Sequence, residues 1–255
     1  MPELPEVETI RLFLDRSVIG RTITAIEGSR PTIDRDQLAP LPGRKVTGTA
    51  RHGKFLFVDL DPGSSLVFHF GMTGDLTLVP GDKPDPAYTR AVISFDDHSR
   101  LAFTDSRRFG RLGWVPDRAA FVAGKRLGPD GLTLVPAQFL SIATRSRRRV
   151  KLFLLDQHRI AGIGNIYADE ILFQAGIRPL SLLHGCDPVR LSLLAAALPH
   201  VLRTAVDRAA DFSAYPETWI IPYRARGESC PCCGGAVDRV MVAGRYAYFC
   251  PSCQE

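Results

Sequence analysis

Hydrophobic positions change period twice along the chain. In the first twenty residues Val7, Ile10, Leu14 and Val18 recur at helical spacing, and Gly20 is placed to end the run. Pro5 suits a first helical position because its φ is preset and its missing N–H has no helical partner to lose. Glu6 and Glu8 then fall in the first turn, where the helix dipole favours acids. From about Thr22 to Trp114 the pattern shortens. The runs "KFLFVDL", "SLVFHF", "DLTLVP", "TRAVISF" and "SRLAFTD" predict short strands of a sandwich-like pair of sheets. Hairpin turns are expected at "DPGSS" and "DDHS". After "LGPDGL" (Leu127–Leu132) the grammar turns helical. The clearest case is "LSLLAAALPHVLRTAVDRAA", in which Pro199 is expected to break or kink the helix. In "GIGNIYADEILFQAG" Asn165 reads as an N-cap and Gly176 as a stop.

These patterns predict an α+β chain divided into a helix and β-sandwich over 1–115, a linker over 116–132, a helical domain over 133–220 and a cysteine-rich end over 221–255. Composition narrows the setting. With 45% hydrophobic and 23% charged residues the chain is globular, and a net charge of +5 leans towards a polyanionic partner. The N-terminus lacks a basic segment followed by an apolar one, so no secretory signal is expected. No apolar run reaches the roughly 20 residues that span a bilayer. The expectation is a cytoplasmic protein with no membrane partner, acting as a monomer.

Five of the six cysteines fall in the last 26 residues, "CPCCGGAVDRVMVAGRYAYFCPSCQE". Cys230 with Cys233 and Cys250 with Cys253 form two CxxC pairs separated by sixteen residues. That spacing fits a zinc ribbon, in which two knuckles close a tetrahedron across a hairpin turning at Ala243-Gly244. Four thiolates leave no open coordination position, so one structural Zn2+ is expected. Cys232 reads as a bystander and Cys186 as an ordinary small residue. The hairpin would present Arg245, either a solvated charge or a phosphate contact. Gly162, Gly164 and Asn165 stand before a helix, where backbone N–H groups can meet a phosphate, although a tight turn alone would use the same residues. The basic run "RSRRRVK" (Arg145–Lys151) lies just upstream.

Helix-flanking glycines, basic residues and a zinc hairpin together argue for DNA binding. "PELPEVE", "GIGNIYADE" and "CxxCG…GRxxxxCPxCQ", in this order, resemble the bacterial formamidopyrimidine-DNA glycosylase/endonuclease VIII family. "HGKFL", "HFGMTGDL", "DSRRFG" and "LGPDGL" extend the resemblance over essentially the whole chain. "PELPE" is closer to the formamidopyrimidine branch. The resemblance implies a helix–two-turns–helix domain and a bifunctional glycosylase and abasic-site lyase acting on double-stranded DNA that carries damaged bases or abasic sites. It implies that removal of Met1 frees the secondary amine of Pro2, the nucleophile that forms an imine with the opened sugar. An α-amino group has a reference pKa near 8 and is partly neutral at physiological pH. Glu3 is then the acid that protonates the sugar ring oxygen, and Glu6 a supporting residue or a helix-dipole carboxylate. Lys54 holds a phosphate beside the lesion. Gly164, Asn165 and Arg245 contact phosphates and Lys151 adds charge. Met72, Arg107 and Phe109 fill the gap left by an extruded nucleotide. Association with the bacterial nucleoid follows from DNA binding.

Departures from the family concern lesion choice. "DRAADFSAYPETWIIPYRARGESC" is short and lacks the long glycine-containing segment that caps oxidised purines. "DPAYT" lacks a histidine-rich element, and Ser106 stands where proline is common. Three readings follow: removal of formamidopyrimidines and 8-oxoguanine; the same chemistry with an oxidised-pyrimidine or narrower lesion range; and a non-catalytic damaged-DNA-binding module. Pro2, Glu3 and Lys54 together argue against the last.

Overall fold

A computed structural model describes residues 2–28, 31–33 and 38–255. The chain forms two compact units: Pro2 with Glu6–Arg126, and Glu3–Pro5 with Leu127–Glu255. The first element, α1 (Leu4–Ser17), starts one residue earlier than Pro5 and gives way to a turn at Gly20, whose φ is +88°. The apolar stripe read from the sequence is its buried face, with Val7, Leu14 and Val18 fully enclosed.

The first unit is the expected sandwich. One antiparallel sheet has the order β2 (Val46–His52), β3 (Phe55–Leu60), β4 (Ser64–His69), β8 (Arg111–Val115). The other has the order β1 (Ile23–Gly28), β6 (Thr89–Phe95), β7 (Arg100–Asp105), β5 (Gly74–Val79). Leu56, Phe68, Ile93 and Phe103 fill the space between them together with the α1 stripe. The "DPGSS" turn joins β3 to β4 with Leu60 opposite Ser64, and "DDHS" joins β6 to β7 through His98 at φ +64°. Glu8 is enclosed on α1 and bonded to Arg11 (2.7 Å) and Arg51 (2.8 Å), which ties the helix to β2. A short helix, α2 (Arg118–Gly124), follows the sheets and is capped by the Asp117 carboxylate on the Ala120 N–H (2.9 Å).

In the second unit the main elements are α3 (Pro136–Ala143), α4 (Val150–Leu155), α5 (Asn165–Gln174) and α6 (Pro188–Asp207), followed by the hairpin β9 (Asp238–Val242) and β10 (Arg245–Phe249). Two expectations are corrected here. Helix α6 runs unbroken through Pro199. Residues on both sides of the proline, Leu194, Leu198, Val201 and Leu202, are sunk in one core with α4 and α5. Their packing outweighs a proline's cost of about 3 kcal/mol. The same helix, Pro188–Asp207, is long and apolar enough by length and composition to cross a bilayer, with a mean hydropathy of 1.3. The sequence reading missed it because Arg190, Arg203 and His200 interrupt the run, and its apolar positions serve this core.

Candidate active site and nucleic-acid interface

Glu3 is 1% exposed and packs in the second unit. Its Oε2 accepts the backbone N–H groups of Gly164 (2.8 Å) and Tyr167 (3.3 Å), and its Oε1 that of Ile166 (3.0 Å). The carboxylate therefore caps α5, where orphan donors and the positive end of the dipole favour an anion. The adjoining Leu4 N–H donates to Gly162 O (3.1 Å). This corrects the expected cap. The N-cap position belongs to Gly164, in extended backbone, and Asn165 is the first helical residue. Gly164 has to be glycine: a Cβ there would lie 2.2 Å from the Glu3 carboxyl carbon and 2.3 Å from its Oε1. The glycine run thus makes room for an internal carboxylate supplied 161 residues earlier.

Pro2, half-buried, directly precedes this anchored residue, and Glu6 is half-buried in the first turn of α1. Lys54 follows Gly53 in the turn of the β2–β3 hairpin, with His52 opposite Phe55. Met72 and Phe109 are 39% and 51% exposed, well above what a core role allows. They sit on two loops tied together by Asp105, which sequence reasoning missed. Asp105 is fully buried; Oδ1 accepts from Thr73 Oγ1 and the Arg107 N–H (3.1 Å), and Oδ2 from the Gly110 N–H (2.6 Å). Burial pushes its pKa up, but these hydrogen bonds outweigh that and hold it below the usual range. Arg107 lies over the Phe109 ring at 5.1 Å.

Asn165 and Arg245 come together through the hairpin, since Asn165 Nδ2 donates to Tyr246 O (3.0 Å). Arg245 follows a two-residue turn with both Ala243 (φ +48°) and Gly244 (φ +75°) in left-handed backbone, a geometry that matches the strand twist. Lys151 does not join this surface. It is fully buried, and its Nζ is bonded to Asp169 Oδ1, itself fully buried. The expectation that Lys151 adds charge at the DNA is corrected, because α4 turns Val150, Lys151, Phe153 and Leu154 inward. Exposed charge near the hairpin comes instead from Arg148, paired with Asp156 (2.9 Å), and Arg149, which line a recess with His158 and Arg245. Asp169 Oδ2 also takes Arg224 Nε (3.0 Å) and Nη2 (2.8 Å) and the Tyr248 N–H (3.2 Å). One carboxylate therefore joins α4, α5, the segment before the cysteines, and β10.

Its neighbour Glu170 is also buried, accepting from Gln174 Nε2 (2.7 Å) and the Ile221 N–H (3.0 Å). Burial pushes its pKa up to about 7 from 4.5, against the lowering effect of those bonds. A carboxyl that binds its proton more tightly when folded stabilises below its unfolded pKa and loses that contribution as pH rises through the folded value. Stability should therefore decline between pH 4.5 and about 7. Glu170→Gln, which can keep both bonds if the Gln174 amide flips, should flatten that decline by up to about 3 kcal/mol. Urea denaturation at pH 5 and pH 8 reads this; an unchanged slope of stability with pH would contradict it.

The Sγ atoms of Cys230, Cys233, Cys250 and Cys253 lie within 4.8 Å of one another. The Cys230–Cys253 and Cys233–Cys250 separations are 3.8 and 3.5 Å. A tetrahedral zinc with Zn–S bonds of about 2.3 Å sets its sulfurs about 3.8 Å apart. The four thiols fit one zinc ion. Exposed Cys232 lies outside the group, 3.9 Å from Thr218 O, and burial raises the Cys186 thiol pKa.

Family models match almost the entire chain. Residues 1–112 match the formamidopyrimidine-DNA glycosylase N-terminal domain, residues 127–215 the formamidopyrimidine-DNA glycosylase H2TH domain, and residues 227–255 a zinc finger found in FPG and IleRS. The chain belongs to the formamidopyrimidine-DNA glycosylase family. A formamidopyrimidine-DNA glycosylase of Desulforamulus reducens is 36% identical over 278 residues, covering 100% of this chain and 99% of its own length. One from Xanthomonas campestris is 36% identical over 273 residues, with full coverage of both. Among solved structures, a Lactococcus lactis Fpg bound to abasic-site DNA superposes with a TM-score of 0.89 at 29% identity, covering 99% of each chain. A MutM complex with DNA containing carbocyclic 8-oxo-G gives 0.89 at 30% identity, covering both chains fully.

As a family member the chain holds one structural zinc in its finger. Removing it with a chelator should strip the β9–β10 amides of hydrogen-exchange protection and weaken DNA binding. Binding that is unchanged after verified metal loss would contradict this role.

Proposed function

We infer that the chain is a DNA glycosylase of base excision repair with abasic-site lyase activity, acting on DNA that carries oxidised bases. The supporting observation is the seating of Glu3 in the N-terminus of α5, which anchors the residue joined to Pro2. In this reading Met1 is removed and the Pro2 nitrogen donates its lone pair to C1′ of the damaged nucleotide. The bond from C1′ to the base breaks and the base leaves with the electron pair. The proton that the Pro2 amine sheds on becoming an iminium passes to Glu3, which hands it to the ring oxygen as the C1′–O bond breaks and the sugar opens. The resulting iminium carries the positive charge that allows the 3′ and then the 5′ phosphate to leave by β- and δ-elimination. Glu6 supports the helix start.

Lys54, Asn165 and Arg245 hold phosphates of the damaged strand, joined by Arg148, Arg149 and His158 in place of Lys151; buried Gly164 drops out of that set because its N–H is taken by Glu3. Met72, Arg107 and Phe109 occupy the vacated stack, where an apolar wedge offsets the cost of extrusion. Zinc takes no chemical part; it braces the hairpin that carries Arg245. The protein works on chromosomal DNA in the cytoplasm.

Formamidopyrimidines and 8-oxoguanine are the proposed lesions. A narrower range is favoured by one feature: the segment Ile220–Arg224 is held down by Glu170 and Asp169 instead of forming a long loop. A panel of duplexes, each with one defined lesion, decides between them. Cleavage of formamidopyrimidine and 8-oxoguanine duplexes with β,δ-elimination ends is the expected result. Cleavage confined to oxidised pyrimidines would overturn the lesion assignment, and binding without cleavage of any duplex would overturn the enzyme reading.

A further inference from the structure

Lys54 stands in a two-residue turn that its own residues do little to orient. Gly53 opens the turn in left-handed backbone at φ +57°, and a glycine leaves the peptide that follows it free to rotate. On such a turn a lysine would sweep its ammonium through a wide arc. The Gly53 carbonyl is held, however, because it accepts from Arg51 Nη1 (3.1 Å). That carbonyl belongs to the Gly53–Lys54 peptide, so the bond fixes the plane from which the Lys54 side chain leaves.

Arg51 can serve as a fixed point because it is itself anchored. Its side chain is 5% exposed, and its Nε donates to Glu8 Oε2 (2.8 Å) on α1. The other oxygen of Glu8 takes Arg11 Nε (3.0 Å) and Nη2 (2.7 Å). Two residues before Arg51 on β2, Thr49 Oγ1 donates to Asp15 Oδ1 (2.8 Å) and closes the same seam. Glu8, Arg11 and Asp15 recur at helical spacing, so one face of α1 grips one face of the strand.

A tie between helix and sheet needs only the arm of Arg51 that reaches Glu8. The second arm adds nothing to that tie; it reaches past the end of the strand to a turn carbonyl beside a lysine. The planar guanidinium donates in both directions at once, which a single ammonium nitrogen does not reproduce. Enclosed as it is, Arg51 is not placed to meet a phosphate itself. Its two arms connect the turn of Lys54 with α1, the helix that begins two residues after Pro2.

We propose that Arg51 is a positioning residue: braced by Glu8, it locks the Gly53–Lys54 peptide and thereby aims Lys54. The consequence for DNA rests on the function proposed above; the locking of the turn does not.

The test uses the zinc-loaded full chain. In heteronuclear NMR without DNA, Arg51→Met should shift and broaden the Lys54 amide, whose nitrogen shares its peptide with the Gly53 carbonyl, while dispersion elsewhere stays native. Arg51→Lys keeps the charge beside Glu8 without the second arm, and should move the same amide if Arg51→Met folds poorly. Binding to a duplex with a tetrahydrofuran abasic analogue is then measured across a salt series. Arg51→Met should lower the slope of log affinity against log salt by about one, as Lys54→Ala does, although Arg51 is buried. Single-turnover cleavage of abasic DNA should fall about tenfold or more in each. The double variant should be no worse than Lys54→Ala alone, since Arg51 acts through Lys54. An arginine that merely tied helix to sheet would leave the slope at its parental value and make the two losses additive. That result, or an unmoved Lys54 amide, overturns the proposal. Lys54→Ala with parental slope and cleavage is a different failure. It removes Lys54 from the function proposed above, and the Lys54 amide still reports whether Arg51 locks the turn.

Discussion

Gly164→Ala is expected to reduce cleavage of abasic and lesion-containing DNA by about 100-fold or more, through a residue 161 positions away in sequence. The added Cβ has no room, because it falls 2.2–2.6 Å from the carboxyl carbon and both oxygens of Glu3. Neither party can yield cheaply. The helix start is fixed by its core residues Ile163 and Tyr167, and Glu3 is held by three backbone donors. Expelling the carboxylate strands those donors, at a cost of about 1–3 kcal/mol each where they stay buried. It also shifts the neighbouring Pro2. Single-turnover kinetics with a parallel denaturation curve separate the two effects. Because the substitution acts through Glu3, Gly164→Ala combined with Glu3→Gln should be hardly worse than Glu3→Gln alone. Full additivity, or activity within about twofold of the parent, would contradict the cap as the positioning device.

Asp169→Ala should be the most destabilising single substitution in the second unit, at about 3–5 kcal/mol. It would leave the Lys151 ammonium fully buried with its ion-pair partner gone. It would also release Arg224, which packs 5.1 Å from the Tyr248 ring, and the Tyr248 N–H. The damage should spread into the zinc hairpin, because β10 is joined to α5 through this carboxylate. Lys151→Met in the Asp169→Ala background should recover part of the loss, since it removes the unpaired charge while keeping most of the volume. Thermal denaturation of the zinc-loaded protein measures both. A loss below about 1 kcal/mol would show that water reaches Lys151.

Much of this architecture was legible because it is written in local patterns. The Val7–Leu14–Val18 stripe, the alternating runs of the sandwich and the two CxxC pairs each need only neighbours within a few residues. The hairpin turn at Ala243-Gly244 was readable for the same reason. What escaped was the long-range pairing of polar groups. Asn165 is a good cap by type, yet the cap is Glu3, which reaches the helix only in the folded chain. Lys151 ends a run of arginines that belongs in water, and only its place on α4 sends it inward to Asp169. Asp105 looked like the end of a strand, and its work in joining the loops of Met72 and Phe109 depends on Thr73 and Gly110 converging. Pro199 failed for a related reason, since a local penalty was outweighed by packing on both sides of it.

The central claim is that the amine of Pro2, next to an anchored Glu3, is the nucleophile. Borohydride reduction during turnover on abasic-site DNA, followed by mass mapping of the cross-linked peptide, tests it most directly. The account predicts one covalent adduct per chain, on the N-terminal nitrogen of a protein that has lost Met1, and no adduct when an added residue blocks that nitrogen. An adduct on a lysine, or trapping that survives the block, would contradict it.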